Sequence, residues 1–107
     1  MKRATTFALA LVTAPDLRTA RRFAQLALNA KLIACANLVP KVESHYRWRG
    51  KLESNTEVLL ILKTRRTNLR QLEALVLEVH PYDTPEFLVL GLHAGSQRYL
   101  EWLAASC

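Results

Sequence analysis

Two long stretches with strand-like patterning, joined by Arg49-Gly50, constrain the fold of this chain more than any other feature. The first spans residues 32–48 and the second residues 51–64, and polar and apolar side chains alternate along most of both. Alternation with a period of two is typical of a β-strand, and a short link containing glycine is typical of a hairpin. Residues 32–64 are therefore predicted to form one hairpin, kinked at Pro40.

The segment before the hairpin predicts a strand followed by a helix. Residues 6–13 are short and apolar and are followed by Pro15, which is the pattern of a buried strand that ends at a proline. From Leu17 to Asn29 apolar residues recur every three or four positions, as on one side of an amphipathic helix. Asp16 stands where its carboxylate can cap that helix.

The segment after the hairpin predicts a helix, a strand and a short helix. Asn68 followed by Gln71 resembles a capping box, and the apolar stripe behind it ends at His80-Pro81. Residues 86–92 then predict a strand. Ser96 is expected to cap a final helix that carries Tyr99, Leu100 and Leu103.

The order of these elements is β-α-β-β-α-β with an additional C-terminal helix. This order predicts an α+β fold of the split β-α-β, or ferredoxin-like, type: a four-stranded antiparallel sheet with two helices on one face. The 107 residues are expected to form one domain, residues 1–107.

The hairpin is too long for a chain of this size to cover. Each arm of about 15 residues would extend about 50 Å, nearly three times the usual strand length. An exposed ribbon carrying Tyr46 and Trp48 would leave unpaired edges and aromatic surface in water. We therefore expect a closed homo-oligomer in which each ribbon pairs with a neighbouring copy.

Composition narrows the possible locations and partners. There are 15 Lys and Arg against 9 Asp and Glu, and residues 1–66 hold 13 of the basic side chains. No basic run exceeds two residues, so we interpret the excess as solvated surface and expect no nucleic acid partner. Only two cysteines occur and no apolar run is long enough to span a bilayer. The sequence favours a cytoplasmic protein without a membrane partner.

Five segments in order then resemble the CutA family, the divalent cation tolerance proteins. They are Val12-Thr13-Ala14-Pro15-Asp16, Lys31-Leu32-Ile33-Ala34-Cys35-Ala36-Asn37-Leu38-Val39-Pro40, Tyr46-Arg47-Trp48-Arg49-Gly50-Lys51, Glu57-Val58-Leu59-Leu60-Ile61-Leu62-Lys63-Thr64 and His80-Pro81-Tyr82-Asp83-Thr84-Pro85-Glu86. The resemblance implies a ferredoxin-like subunit in a cytosolic homotrimer similar to the PII signalling proteins. It also implies tolerance of divalent cations, with copper (Cu²⁺) as a bound ion and no obligatory cofactor.

The metal candidates are His80 and Cys35. The copper ligands proposed for bacterial members of the family correspond here to Val12, Val79 and His80, so only His80 is retained. His80 also ends a predicted helix, where a histidine can serve structure alone. Cys35 offers a soft donor suited to Cu(I), but a thiol in an apolar segment is often a small buried hydrophobe. Both residues can therefore be either ligands or structural.

A second group comes from the same motifs: Trp48, Glu57, Lys63, Tyr82 and Glu86. Glu57 and Lys63 are six residues apart, on one face of a strand. In a trimer the group could converge in an intersubunit cleft, as an ion-pair network or as the walls of a ligand pocket.

Two functions remain open at this point: a copper-binding tolerance protein, and a PII-like sensor or scaffold. The second would bind a small anion or a partner protein in the cleft, an expectation that rests on the basic excess around the hairpin. No enzyme is expected, because the chain has no phosphate loop, GxSxG or HExxH motif.

Overall fold

The structure, a computed structural model, describes residues 1–107. The chain forms six strands and three helices, with two strands before each helix and a single 3₁₀ turn at Arg66–Asn68 before the second helix. In chain order the elements are β1 (Lys2–Arg3), β2 (Phe7–Ala14), α1 (Leu17–Asn29), β3 (Cys35–Trp48), β4 (Lys51–Arg65), α2 (Leu69–Val79), β5 (Leu88–Gly91), β6 (Ala94–Gly95) and α3 (Gln97–Ser106).

Four of the strands form one antiparallel sheet in the order β3-β4-β2-β5. The two long strands β3 and β4 are the arms of the predicted hairpin, and α1 and α2 connect strands that are not neighbours in the sheet. This arrangement confirms the predicted α+β, ferredoxin-like fold with a C-terminal helix.

The main core lies between one face of this sheet and the helices α1 and α2. Alternate residues of β2 and β4 point into it, together with the apolar stripes of the two helices. The buried side chains include Val12, Phe23, Leu60, Leu62, Leu72 and Val76. A smaller cluster, in which Leu100 and Leu103 of α3 meet Ala4, Phe7 and Ala34, covers one end of the sheet.

The hairpin is kinked where the sequence predicts it. The register of β3 against β4 shifts by one residue between Val39 and Val42, and Lys41 has a left-handed backbone with φ of 61°. A bulge of this kind adds one unpaired residue and increases the local twist. Beyond it the ribbon projects from the sheet, and all of residues 51–56 are exposed.

The structure departs from the sequence predictions in a few local features. The pairing of β1 with β6 was not predicted, because each strand has only two residues and no sequence pattern. The last strand is shorter than residues 86–92 and begins only at Leu88.

Of the three predicted caps, only Asp16 forms one, accepting from the Thr19 N–H at 2.7 Å. Asn68 already has helical backbone angles and donates to Thr64, and Ser96 makes no capping bond. None of the three helices has the length and apolar character needed to cross a membrane.

Candidate functional site

A cleft of about 790 Å³ lies between the hairpin and the loop that follows α2. It contains four of the five residues grouped from the sequence, Trp48, Glu57, Tyr82 and Glu86. The strands supply one wall and the loop of residues 81–86 supplies the other. Its ionisable and aromatic lining consists of Glu43, His45, Tyr46, Trp48, Glu57, Tyr82, Asp83 and Glu86.

Glu57 and Tyr82 form the innermost contact of the cleft. Glu57 lies on β4 opposite Val42, directly beyond the bulge, and only 7% of it is exposed. The Tyr82 hydroxyl donates to Glu57 Oε2 at 2.8 Å. Burial, reinforced by the Glu57 acceptor, raises the pKa of Tyr82 well above its ordinary value. The phenol therefore keeps its proton and remains a donor to the carboxylate.

Glu86 adds a second carboxyl group beside Glu57. Partial burial raises the pKa of Glu86, and the negative charge of Glu57 raises it further. No Lys or Arg of the chain forms an ion pair with either group. The one contact of this type joins His45 Nε2 to Glu43 Oε2 at 2.5 Å, and it is ionic only when the imidazole is protonated. Glu57 is therefore a buried carboxyl group whose partner within the chain is a hydroxyl and not a cation.

His80 fastens the loop to the sheet. Its Nδ1 accepts from the Tyr82 N–H at 3.1 Å, and its Nε2 lies 2.7 Å from the carbonyl oxygen of Thr13. Since a carbonyl can only accept, we assign the proton to Nε2. His80 is buried and its ring packs between Phe23 and Tyr82. Both ring nitrogens are occupied, so coordination of a metal would require one of these bonds to break.

Cys35 lies at a different part of the sheet from His80. It is a free, partly buried thiol whose Sγ is 3.8 Å from Asn37 Oδ1. Cys35 pairs with Lys63, which pairs with Leu9, whereas His80 bonds to Thr13, four residues and about 13 Å farther along β2. The structure does not bring the two metal candidates together. No three His, Cys, Asp or Glu side chains of one chain are grouped to hold a metal ion.

Lys63 is the one grouped residue that lies outside the cleft. Six residues of strand separate it from Glu57 by about 20 Å, although both point to the same face. Its Nζ donates to the Tyr99 hydroxyl of α3 at 3.2 Å and lies 5.4 Å from the centre of that ring. Within one chain Lys63 therefore stabilises the packing of α3 against β4.

Sequence reasoning missed part of the cleft, namely Glu43, His45 and Asp83. Glu43 and His45 are two residues apart on β3, a spacing that puts both side chains on one face of a strand and could have signalled the pair. The lining contains none of the lysine and arginine side chains on which the expectation of an anionic ligand rested.

Comparison with known proteins identifies the family. The family model described as "CutA1 divalent ion tolerance protein" matches residues 8–106. The chain belongs to this family. A CutA of Escherichia coli (strain S88), named a divalent-cation tolerance protein, is 47% identical over 102 residues that cover 95% of this chain and 91% of the relative.

Longer relatives share only part of their length with this chain. The chloroplastic CutA of Arabidopsis thaliana is 44% identical over 89% of this chain but 52% of the relative. The zebrafish CutA homolog is 35% identical over 90% of this chain and 64% of its own length. The chain thus spans about half to two thirds of these two proteins.

Solved structures of the family superpose closely on this chain. The crystal structure of CutA1 from Oryza sativa has a TM-score of 0.90 at 41% identity and covers 94% of this chain and 92% of its own. CutA from Synechococcus elongatus gives 0.92 at 36% identity, with coverage of 97% and 92%. A CutA from Archaeoglobus fulgidus with a TM-score of 0.90 is described as periplasmic.

Proposed function

We propose that this CutA protein confers tolerance to divalent cations by binding copper, as a cytoplasmic homotrimer whose subunits are single domains of residues 1–107. Membership of the divalent ion tolerance family supports the first part. The main observation in favour of a homotrimer is the exposed apolar face of the sheet, which lies opposite the face that α1 and α2 cover. The proposal includes no catalytic activity.

The open face is formed by residues that alternate with those of the core. Leu11 of β2 lies opposite Ile61 of β4 on one side and Leu88 of β5 on the other, so the three share a face. Leu88 is 57% exposed and Leu90 is 48% exposed. A contiguous apolar surface on a sheet with unpaired edges marks an interaction site. A second copy of the chain, bringing its own ribbon, supplies matching apolar surface.

The proposed copper binding requires the proposed assembly. A divalent ion needs three or four donors, and one chain does not group that many. In a trimer, donors from neighbouring subunits complete the set. Cys35 is the more accessible of the two candidates, because its thiol has no strong partner to release. His80 would have to give up a hydrogen bond to become a ligand.

Two measurements test this proposal. Sedimentation equilibrium is expected to give three times the 12.1-kDa chain mass, and a monomer mass at micromolar concentration would contradict the assembly. Calorimetric titration of Cu²⁺ into metal-free protein, in a weakly chelating buffer, is expected to show saturable binding that Cys35→Ser or His80→Ala weakens. His93→Ala, which removes an exposed loop histidine, is the control for adventitious copper. Binding that both ligand variants leave unchanged would reject these residues.

The cytoplasmic location is supported by the two cysteines, which are both free thiols. Reducing compartments keep thiols in that state. Fractionation of the cells that express the protein is expected to recover it with cytoplasmic markers, and recovery with periplasmic or organellar markers would contradict this.

A second candidate function is a trimeric sensor or scaffold that takes a ligand in its clefts. The cleft beside Tyr82 favours it, because its volume is within the range of small-molecule sites. Loss of cation tolerance in cells that express a copper-binding-defective variant would support the first function over this one.

A further inference from the structure

The cleft between the hairpin and the loop of residues 81–86 has a charge opposite to that of the protein. The chain carries a formal net charge of +6 and 15 Lys and Arg side chains. None of these 15 lines the cleft, whereas Glu43, Glu57, Asp83 and Glu86 all do; the one basic side chain in the lining is His45, which pairs with Glu43 and not with Glu57 or Glu86. A cleft lined by one sign of charge raises the local concentration of ligands of the opposite sign. The cleft therefore selects cations.

Glu57 shows where a cation would be held. It is more than nine-tenths buried, and the Tyr82 hydroxyl occupies only its Oε2. No hydrogen bond within the chain reaches Oε1, and this atom is not sealed from the cleft. A buried carboxylate is costly unless it is paired, and no Lys or Arg pairs with Glu57. An N–H donor that enters the cleft would satisfy this oxygen.

The other walls of the cleft are aromatic. Tyr46 and Trp48 are 39% and 38% exposed, and Tyr82 faces them across the cleft from the loop. Trp48 already attracts a guanidinium, since the Arg49 Cζ lies 5.4 Å from its ring centre. Aromatic faces attract organic cations through the ring quadrupole but donate no ligand to a metal ion.

From these observations we propose that the cleft binds an elongated organic cation with N–H donors, a guanidinium or a primary ammonium, whose donors meet Glu57 and whose body extends past Tyr46 towards Trp48, six strand residues from the position opposite Glu57. The N–H groups donate to Glu57 Oε1 and to the Glu86 carboxyl group, and the aromatic rings cover the apolar part of the ligand. A bare divalent ion would leave the aromatic walls and most of the 790 Å³ unused. The proposal is independent of copper binding, and it gives the cleft of the second candidate function a class of ligand.

The test uses the assembled, metal-free protein and two probes, agmatine with its guanidinium and primary ammonium, and tetramethylammonium with no N–H donor. Calorimetric titration at 150 mM salt is expected to show saturable agmatine binding at one site per chain. Tetramethylammonium is expected to bind at least tenfold more weakly, because it cannot donate to Glu57.

Four variants locate the site. Glu57→Gln, Glu86→Gln and Trp48→Ala are each expected to weaken agmatine binding by tenfold or more. Glu73→Gln removes one negative charge from an exposed position on α2, away from the cleft, and is expected to change nothing. If Glu57→Gln fails to fold, Glu86→Gln and Trp48→Ala still decide the question, because Glu86 is only partly buried and Trp48 is exposed.

Three outcomes would overturn the proposal. Absence of saturable agmatine binding, with an oligomer mass that falls in Glu57→Gln, would assign the cleft to a basic side chain of a neighbouring copy. If Glu73→Gln weakens agmatine binding as much as the cleft variants do, the effect would come from the overall charge of the protein and not from the cleft. Displacement of agmatine by stoichiometric Cu²⁺, with no effect of Trp48→Ala, would make the cleft a metal site. The first two of these results leave the test of copper binding at Cys35 and His80 unchanged.

Discussion

The two halves of β4 have the same strand geometry and opposite surroundings. Val58, Leu60 and Leu62 are at most 4% exposed, because this half lies between β2 and β3 and beneath the two helices. Residues 51–56 pair with β3 alone and are exposed at every position. Hydrogen bonding to β3 continues through both halves, apart from the bulge. The difference between them is therefore burial and not backbone pairing.

The comparison shows that alternation of polar and apolar residues predicts a strand but does not predict which part of the molecule packs on it. The base of the hairpin is stabilised by side chains of its own chain. The ribbon has no such cover, and isolated two-stranded ribbons are marginal in water. A neighbouring copy in the assembly proposed above would supply the missing cover.

The largest expected effect comes from the buried half. Leu60→Ala removes a side chain that is 0% exposed and leaves a cavity in the main core. The free energy of unfolding is expected to fall by about 2–5 kcal/mol. Urea unfolding at one fixed protein concentration measures it, because unfolding of an oligomer depends on concentration.

Leu52→Ala is the matched substitution in the other half. Leu52 is 78% exposed near the ribbon tip, so its truncation is expected to change the free energy of unfolding by less than about 0.5 kcal/mol. A loss comparable to that of Leu60→Ala would show that a neighbouring copy packs on the tip itself, and the contrast between the halves would then hold only for the single chain.

The second prediction concerns the open sheet face. Leu90→Lys places a charge on that face, and we expect the sedimentation mass at micromolar concentration to fall from trimer towards monomer. Leu77→Lys is a close control, since Leu77 on α2 is 47% exposed against 48% for Leu90. If both variants keep the full mass, the open face is not the interface. If both lose it, the helical surface also takes part.

The sequence predicted the fold well because each main element has a strong local signal. The hairpin, its kink at Pro40 and the Asp16 cap all follow from residues that are neighbours in the chain. The predicted caps at Asn68 and Ser96 were wrong for different reasons. Asn68 has helical backbone angles, whereas Ser96 has the extended angles of an N-cap but its side chain makes no capping hydrogen bond. The pairing of β1 with β6 joins the two ends of the chain and has no local pattern.

The site could be predicted only in part, for a related reason. Residue spacing placed Glu57 and Lys63 on one face of a strand, but their distance along the strand separates them. The partners of His80 are a backbone carbonyl of β2 and a backbone amide of the loop, and no side-chain motif reveals backbone partners. Whether His80 and Cys35 bind copper is a prediction that the titrations above address.

The third prediction tests the contacts by which His80 links β2 to the loop that lines the cleft. His80→Ala removes both bonds that fasten the loop to β2 and leaves buried polar groups without partners. The free energy of unfolding is expected to fall by about 1–3 kcal/mol, and agmatine binding is expected to weaken. His93→Ala, in an exposed loop, should alter neither quantity. Full stability with weakened copper binding would instead make His80 a ligand that the fold does not need.

The smallest expected effect depends on pH and comes from Glu86. Its pKa is raised in the folded protein, so the folded state binds its proton more tightly than the unfolded state, whose ordinary value is 4.5. Stability contributed by this group is therefore full below pH 4.5 and falls as the pH rises through the folded pKa. Glu86→Gln removes the charge and is expected to raise the melting temperature of the ligand-free protein at pH 7, but not at pH 4. Glu73→Gln, on the exposed face of α2, should show no such dependence. A Glu86→Gln protein that is less stable at pH 7 would mean that a cation already neutralises the carboxyl pair in the assembly, as a basic side chain from a neighbouring ribbon would do.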